Sequence, residues 1–357
     1  MRGIILITRK CIIEYDVNEH EANEIYLDEE LLEETNYGDI DSILNMMYRK
    51  NGISPLSMTW ELTNKCNFNC PFCYIHNQSD TSKEECIGYR FEEIKSELDE
   101  LIKRGLFICY LTGGECLLHP DFEKIYLYLK KKGVLVAVLT NVSLLSEKHI
   151  SIFKKYKPYK VEVSIYGKNH TFSSDPTMAN KVLENVLKLK NAGINVVAKM
   201  PFNSCTEEQF EKVQSWCMEH DIDFYYSDEL FSGYDGTDNN IFKRDKKEKI
   251  IPNEQQFGYK KVFDCSAGKH SFILSYSGKV RPCFAFYEQK APDWVFNTEK
   301  GIAVAFDQMK HKIESIVGKR LMYCNGCEKN AHCQECIATQ CMADDVEAYM
   351  KNKCMGE

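Results

Sequence analysis

Three cysteines in one short segment, Cys66, Cys70 and Cys73, are the residues of this chain best suited to chemistry. Their spacing, C-x3-C-x2-C, places three thiolates on one loop. A [4Fe–4S] cluster takes four ligands, so three protein ligands leave one iron open to bind another molecule. A structural zinc site needs a fourth side chain close by, and His76 is the nearest candidate. The segment therefore predicts an iron–sulfur cluster with an open iron, and zinc is the alternative.

The composition restricts the class of protein. The net charge of −8 over 357 residues argues against nucleic-acid binding, because phosphate contacts need a basic face. The sequence contains no run of ~18 apolar residues, so no membrane-spanning helix is predicted. Seventeen cysteines in a long chain without a predicted signal sequence favour thiolate metal sites over disulfides. We therefore expect a cytoplasmic, metal-binding protein with no nucleic-acid and no membrane partner.

Strand and helix patterns alternate between residues 56 and 228, which predicts a parallel α/β sheet. The predicted strands are Met58–Leu62, Phe107–Leu111, Val134–Leu139, Lys160–Ile165, Asn195–Lys199 and Asp223–Tyr226. The predicted helices are Phe91–Arg104, Phe122–Lys132, Glu147–Tyr156, Met178–Ala192 and Glu207–His220. In such folds, ligands bind at the carboxyl ends of the strands, and the three-cysteine segment follows the first strand. The pattern leaves open whether the sheet is a partial barrel or flat.

The flanking regions differ from this core. Residues 1–55 predict a small α+β module, with strands at Gly3–Ile7 and Cys11–Tyr15, a third strand through Glu24–Leu27 and a helix over Ile40–Arg49. Residues 229–260 predict a charged linker with turn residues. Residues 261–357 contain eight of the seventeen cysteines and predict an irregular, cysteine-rich domain.

The three-cysteine segment, with Phe72 before its last cysteine and Tyr74 after it, resembles the radical S-adenosylmethionine (SAM) enzymes. A second segment that carries the resemblance is Leu111-Thr112-Gly113-Gly114-Glu115. The resemblance covers residues 56–228 and implies a partial (β/α)6 barrel of the TIM type. It also implies that a [4Fe–4S] cluster on the three cysteines cleaves bound SAM to a 5′-deoxyadenosyl radical, which abstracts hydrogen from the substrate. The protein would supply position and exclude water.

The same resemblance implies a set of residues that contact SAM: Phe72, Thr112, Gly113, Gly114, Glu115, Asn141 and Ser164. Within this set, Gly113 and Gly114 would let the backbone approach the cofactor, and Glu115 would pair with its ammonium group. Ser164 would reach the cofactor carboxylate, and the Phe72 backbone would face the adenine. Many relatives have proline where this chain has Cys116. No protein acid or base is assigned.

The cysteines of the tail resemble the SPASM extension of radical SAM enzymes, which holds two auxiliary [4Fe–4S] clusters. The resemblance implies an outer cluster held by Cys324, Cys327, Cys333 and Cys354. It implies an inner cluster held by Cys265, Cys283 and Cys336, with Cys341 or an open iron at the fourth position. The spacing Cys333-x2-Cys336 is one residue shorter than is usual in the family. On their own, the paired cysteines of this tail also predict a zinc site.

Relatives with this extension modify peptides or proteins, or oxidise alcohols. The sulfatase-maturing branch has an aspartate base directly after the second cysteine of the extension, where this chain has Phe284. The resemblance therefore implies a maturase that installs a thioether or carbon–carbon cross-link, or an epimer, in a ribosomally made peptide. The alternatives are a sulfatase-maturase-like enzyme, a radical alcohol dehydrogenase, and a non-catalytic iron–sulfur or zinc scaffold.

Two partners follow from this interpretation. A peptide or protein is the substrate, and a flavodoxin or ferredoxin type of donor supplies the electron. Residues 1–55 would either bind a leader peptide as an added strand or simply cover an edge of the fold. The remaining cysteines are predicted to be small buried hydrophobes: Cys11, Cys86, Cys109, Cys116, Cys205 and Cys217. Tyr166, Lys199 and Tyr225 lie near predicted strand ends and are interpreted as pocket wall.

Overall fold

The computed structural model describes residues 2–7, 11–16, 21–26, 44, 48, 52, 54–70, 72–75, 86–166, 177–201, 206–227, 265–286 and 291–316, and the helix backbone from there to 324. The predicted linker 229–260 lies outside these residues. Three N-terminal strands form an antiparallel sheet in chain order: β1 (Arg2–Ile7), β2 (Cys11–Asp16) and β3 (Glu21–Tyr26). Of the helix predicted at Ile40–Arg49, Leu44 and Tyr48 are described, and both are helical.

The central sheet contains the six parallel strands that the sequence predicts. They pair in chain order: β4 (Ser57–Glu61), β5 (Ile108–Thr112), β6 (Leu135–Thr140), β7 (Lys160–Ser164), β8 (Val196–Pro201) and β9 (Asp223–Ser227). Buried apolar residues recur at alternate positions of these strands, such as Met58 and Trp60 on β4 and Val161 and Val163 on β7, as expected for a sheet that packs against helices on one face. The predicted strands differ from these bounds by at most two residues at either end, and the starts of β7 and β9 are as predicted.

Five helices connect these strands: α1 (Phe91–Arg104), α2 (Phe122–Lys131), α3 (Glu147–Lys155), α4 (Met178–Asn191) and α5 (Glu207–Glu219). The sequence predicts all five, and α1 has the predicted bounds. Local signals explain its ends. The Glu93 carboxylate accepts from the Arg90 amide at 2.7 Å at the start of α1, and Gly105, at φ 118°, ends the helix by donating its amide to the Ile102 carbonyl.

The side on which the helices lie decides between a barrel and a flat sheet. Met58 and Trp60 on β4, and Leu62 just after it, share one apolar cluster with residues from all five helices. An open, doubly wound sheet would have helices on both faces and a reversal of strand order. Here the strand order never reverses from β4 to β9, and the helices share one core. The sheet is therefore consistent with a partial barrel, and its other face is concave.

Three further strands extend this sheet beyond β4, which the sequence analysis does not predict. They are β10 (Ser271–Leu274), β11 (Lys279–Arg281) and β12 (Phe296–Asn297), and β10 pairs in parallel with β4. A long helix, α6 (Ile302–Cys324), then packs Phe306 and Met309 into the barrel core. The first part of the region predicted to be irregular is therefore ordered structure joined to the barrel. No helix in the described part of the chain is long and apolar enough to cross a membrane.

Candidate active site

The three predicted cluster ligands lie together after β4. Cys66, Cys70 and Cys73 are partly exposed cysteines, and they lie close enough together for Cys73 to affect the titration of both Cys66 and Cys70. Burial raises the pKa of the Cys66 thiol to about 12 and raises that of Cys70 well above its usual value, with the neighbouring thiols adding to both shifts. Because metals bind the thiolate form, cations at this loop would have to supply the charge that stabilises it.

The cysteine loop supplies the donors on which the metal prediction depends. No group of three or more His, Cys, Asp or Glu side chains in the described ranges is placed to hold a metal ion. Three thiols on one loop are three of the four ligands that a [4Fe–4S] cluster takes. The Cys73 amide donates to the Cys70 carbonyl at 3.1 Å, and the Phe68 amide donates to the Cys66 sulfur at 3.4 Å. That these thiols hold a cluster stays a prediction.

The two glycines of the second predicted segment contact the chain that leads into the cysteine loop. A Cβ on Gly113 would lie 2.4 Å from the Thr63 carbonyl oxygen, and one on Gly114 would lie 2.4 Å from that of Lys65. The Gly114 amide donates to Thr63 and the Glu115 amide donates to Lys65, both at 2.7 Å. The close approach that the structure contains is therefore between two backbone segments. An approach of these glycines to SAM stays a prediction.

Glu115 is buried and connects the ends of β5 and β6. Its carboxylate accepts from the Thr140 hydroxyl at 2.6 Å, the Asn141 amide at 2.8 Å and the Leu117 amide at 3.0 Å. Burial raises the pKa of Glu115, and these hydrogen bonds oppose the rise. The Cys116 thiol donates a fourth, weaker bond at 3.7 Å. Since a carboxylate has about four acceptor positions, the pairing with an ammonium group that the sequence predicts would add to a carboxylate that already has several donors.

The loop after β6 lies against the cysteine loop. The Asn141 side chain donates to Asn67 at 3.1 Å and lies 3.9 Å from the Cys66 sulfur, and Asn67 donates to Ser143 at 2.8 Å. Val142, which lies between Asn141 and Ser143 in the sequence, has φ 51°, which is strained for a β-branched residue. Its carbonyl accepts from the buried Asn185 at 2.8 Å. Backbone strain held by tertiary contacts is typical of functional loops, and it places Asn141 beside the predicted ligands.

Other predicted contacts lie further along the same rim. Phe72 is buried, and its ring meets that of Tyr166 at a centroid distance of 5.2 Å. Tyr166 is also hydrogen-bonded to Ser164. In the strand register, Ser164 stands level with Lys199, and Lys199 with Tyr225. The structure therefore brings Phe72 and Ser164 to one rim of the barrel with the cysteine loop.

A buried ion pair joins the end of β4 to the C-terminal strands. Glu61, fully buried, accepts from the Arg281 guanidinium on β11 at 2.5 Å. Both groups act on Tyr74 of the cysteine loop, which is hydrogen-bonded to Thr112 and whose pKa is raised well above its usual value, mainly by burial. The Tyr74 ring contacts that of Phe284 at a centroid distance of 5.1 Å. Since Tyr74 follows Cys73 in sequence and Phe284 follows Cys283, this contact connects the neighbours of two predicted ligands.

Two of the predicted auxiliary ligands are described with their side chains. Cys265 and Cys283 are partly exposed and pack against the same small apolar cluster of Phe286, Trp294 and Ile313. The backbone of Cys324 ends α6. The remaining predicted ligands lie outside the described residues: Cys327, Cys333, Cys336, Cys341 and Cys354. Cys109, Cys116 and Cys217 are buried, as predicted, whereas Cys86 is only half-buried.

Several residues that shape the site were missed by the sequence analysis. Asn67, Ser143 and Asn185 belong to polar networks whose members are distant in sequence. Glu61 and Arg281 are separated by 220 positions. A sequence signal was available only for Lys160 and Glu162 of β7. These charged residues alternate with valines, which indicates that one face of that strand is polar.

Comparison with known proteins identifies the class. Residues 60–217 match the model of the Radical SAM superfamily, which includes the cysteine loop, the two glycines and the rim described above. The chain therefore contains a radical SAM domain. The resemblance to radical SAM enzymes is therefore confirmed, and the roles of the individual cysteines stay predictions.

Curated relatives extend the similarity beyond the domain. The chain is 29% identical over 259 residues to AlbA of Bacillus subtilis, a biosynthesis protein for the antilisterial bacteriocin subtilosin, covering 65% of this chain and 55% of AlbA. It is 25% identical over 190 residues to the sporulation killing factor maturation protein SkfB of the same organism, covering 50% of this chain and 44% of SkfB. The chain thus spans about half the length of these relatives.

Solved structures share the fold. SuiB of Streptococcus suis bound to S-adenosylmethionine superposes with a TM-score of 0.62 at 13% identity, covering 96% of each chain. A structure of anSMEcpe with bound AdoMet gives a TM-score of 0.57 at 17% identity, covering 82% of this chain and 88% of that one. At such low identity these likenesses establish the fold alone.

Proposed function

We propose that the chain is a radical SAM enzyme that modifies a ribosomally synthesised peptide. A [4Fe–4S] cluster with SAM supplies, when bound, a 5′-deoxyadenosyl radical able to abstract hydrogen from an unactivated carbon. The observation that carries the proposal is the meeting of three partly exposed thiols with a polar rim at the carboxyl ends of parallel strands. Ligand sites of barrel folds lie at this end of the strands.

The chain's own residues have separate tasks in this proposal. Cys66, Cys70 and Cys73 hold the cluster and leave one iron for SAM. Glu115 pairs with the amino group of SAM while it fixes the ends of β5 and β6. Ser164 contacts the carboxylate of SAM. The buried rings of Phe72 and Tyr166 exclude water from the same rim.

The choice of a peptide substrate rests on the relatives. AlbA and SkfB are named for the biosynthesis of a bacteriocin and the maturation of a killing factor. SuiB, which has the same fold, has been crystallised with its precursor peptide SuiA. We infer that this chain forms a cross-link, through sulfur or between carbons, or inverts a stereocentre. Phe284 stands where the sulfatase-maturing branch has its aspartate base, which disfavours that reaction.

The tail would hold two auxiliary clusters in this proposal. Cys265 and Cys283 are partly exposed and share one apolar neighbour cluster, which suits two ligands of the inner cluster. Cys324 lies at the end of α6 and would begin the outer set. Electrons from a flavodoxin or ferredoxin type of donor would enter through these clusters. Residues 1–55 would bind the leader, because three antiparallel strands offer an edge for an added strand.

Anaerobic reconstitution followed by metal analysis and product analysis tests the proposal. We expect about four irons per chain if only the first cluster forms, and about twelve if both auxiliary clusters form as well. Reduced protein with SAM should release 5′-deoxyadenosine. Zinc in place of iron, with no 5′-deoxyadenosine, would favour the scaffold alternative and reject the enzyme.

A second experiment resolves the reaction. Short peptides encoded beside the gene are incubated with the reduced enzyme and SAM in deuterated water. The loss of two hydrogen atoms from the peptide indicates a cross-link, and deuterium incorporation without that loss indicates epimerisation. Turnover of a small alcohol without any peptide would support the dehydrogenase instead, and removal of residues 1–55 would then leave that activity intact.

A further inference from the structure

The side-chain amide of Asn141 is held in one orientation by its hydrogen bonds. Its Oδ1 accepts from the hydroxyl of Ser143 at 2.6 Å and from the backbone amide of the same residue at 3.0 Å. Its Nδ2 donates to the Asn67 Oδ1 at 3.1 Å and, in a longer bond, to the Cys66 Sγ at 3.9 Å. Because Ser143 lies on the oxygen side of the amide, the NH2 group faces the cysteine loop.

Three side chains of this part of the rim form a closed ring of hydrogen bonds. Asn67 donates its Nδ2 to the Ser143 hydroxyl oxygen at 2.8 Å. The single hydroxyl hydrogen of Ser143 goes to Asn141, which in turn donates to Asn67. Ser143 is fully buried and Asn141 is 7% exposed, so bulk water has little access to these bonds. A buried network whose donors and acceptors match in this way fixes the positions of its members.

The backbone that carries Asn141 is fixed independently of this ring. The Asn141 amide donates to the buried Glu115 carboxylate at 2.8 Å. The next residue, Val142, has φ 51°, and its carbonyl accepts from the buried Asn185 at 2.8 Å. Strained backbone persists only where the surrounding structure determines it. The turn after β6 therefore presents the Asn141 amide to the Cys66 sulfur at a defined place.

Two N–H groups of the described residues are directed at the Cys66 sulfur, the Phe68 amide at 3.4 Å and the Asn141 side chain. Hydrogen bonds to the ligand sulfurs are among the factors that set the reduction potential of an iron–sulfur cluster. Reduction adds negative charge, and an N–H donor stabilises a negatively charged acceptor more than a neutral one. A donor directed at Cys66 would therefore make the reduction of a cluster bound through that sulfur more favourable.

We propose that Asn141 is a positioning residue that donates to the Cys66 sulfur and raises the reduction potential of the cluster held there, with Ser143 and Asn67 orienting its amide. The sequence analysis places Asn141 among the SAM contacts, whereas the hydrogen bonds of the structure direct its amide at a predicted ligand. The inference rests on the proposed function for the presence of a cluster at Cys66. The orientation of the amide does not depend on that function.

The test measures a midpoint potential in the anaerobically reconstituted full-length protein without SAM, by redox titration followed by electron paramagnetic resonance. The signal of the cluster at the cysteine loop is the one that Cys70→Ala lacks. Asn141→Leu keeps the approximate size of the side chain and removes the donor. Reduction should then become about fivefold less favourable, a fall of ~40 mV for a one-electron couple. Asn195→Leu is the matched control and should keep the wild-type potential, because the Asn195 amide donates to the Tyr159 carbonyl outside the ring.

A second variant keeps the test decisive if Asn141→Leu does not fold. Ser143→Ala removes the hydroxyl that orients both asparagines but leaves the Asn141 donor in place, so the potential should fall by less than in Asn141→Leu. An unchanged potential in Asn141→Leu, or in Ser143→Ala where Asn141→Leu does not fold, would overturn the proposal. A lower free energy of unfolding or a lower iron content with an unchanged potential would show that the ring serves the structure alone, and would overturn it as well.

The affinity for SAM, measured by equilibrium dialysis on the same variants, separates this role from a contact with the cofactor. A fall in SAM affinity with an unchanged potential would assign Asn141 to the cofactor and overturn the proposal. Release of 5′-deoxyadenosine by wild-type protein tests the proposed function separately. If that release fails while the potential responds as expected, the proposed function is wrong and the role of Asn141 stands. If wild-type protein shows no signal that Cys70→Ala lacks, both are wrong.

Discussion

The two halves of the barrel sheet are built on different principles. In the half formed by β4 to β6, backbone contacts and buried hydrogen bonds determine the rim: Gly113 and Gly114 lie against Thr63 and Lys65, and Glu115 connects two strand ends. In the half formed by β7 to β9, long charged side chains extend from the concave face. The first half has a rigid backbone, whereas the second allows side-chain changes without moving the backbone.

The difference separates the part of the rim that must keep a fixed backbone from the part whose side chains can change. A cluster loop that must hold three thiols needs its approach path set within a few tenths of an ångström, which backbone packing provides. A substrate surface needs charge and shape that vary between proteins. We therefore expect substitutions near β4 to β6 to cost much more free energy of unfolding than substitutions on the concave face of β7 to β9.

The largest effect is expected for Gly113→Ala. The new Cβ would lie 2.4 Å from the Thr63 carbonyl, and φ is 144° at this position. Backbone overlap and strain together should lower the free energy of unfolding by roughly 4 kcal/mol. Urea unfolding of the reconstituted protein, followed by circular dichroism, measures it. Gly193→Ala is the control, because its φ is 72° but its nearest neighbour is a lysine ammonium at 3.8 Å, and it should cost about 1 kcal/mol. Equal losses of unfolding free energy in the two variants would contradict the claim that backbone packing fixes this half of the rim.

A smaller but still large effect is expected for Arg281→Met. The substitution leaves the fully buried Glu61 without its guanidinium partner, which should cost about 3 kcal/mol of stability at neutral pH, less than the glycine variant. The same urea experiment reports the change. Arg104→Met removes a half-exposed pair with Glu100 and Asp307 and should cost no more than about 1 kcal/mol. A cost for Arg281→Met as small as that control would show that the ion pair does not fix β11 to β4.

The smallest effect is expected on the concave face, in the pH dependence of Glu162. Its pKa is lowered in the folded protein by Lys199 and Lys160, so the unfolded chain binds more protons as the pH falls. The stability from this group is therefore present above the ordinary glutamate pKa and is lost on acidification through the folded pKa. Glu162→Gln should remove this part of the acid sensitivity and change stability at pH 7 by on the order of 1 kcal/mol. Unfolding curves from pH 7 to pH 3 for both proteins measure the difference, and parallel curves would contradict it.

The sequence predicts the barrel well because its signals are local. Apolar periodicity, caps and C-terminal glycines determine α1 with its observed bounds, and Gly105, Gly133 and Gly193 each have positive φ. The cysteine spacing likewise depends on one loop. These features need no knowledge of the tertiary structure.

Other parts of the site depend on distant pairs, which no local pattern reveals. Arg281 reaches Glu61 only because β10 joins the sheet at β4, across more than two hundred residues. Asn67 meets Ser143, and Lys199 meets Glu162, because loops and strands converge at one rim. The sequence analysis gave Gly113 and Gly114 a role toward the cofactor, whereas the contact present in the structure is to the backbone before Cys66. That role toward the cofactor stays a prediction.

The most direct test of the central claim measures 5′-deoxyadenosine from SAM in anaerobically reconstituted, dithionite-reduced protein. Wild-type protein and the Cys86→Ser control, which alters a thiol outside the cluster loop, should both release it. Cys70→Ala should reduce the release at least a hundredfold and lower the iron content by about four per chain. Release by Cys70→Ala at the wild-type rate would contradict the assignment of these three thiols to the cluster.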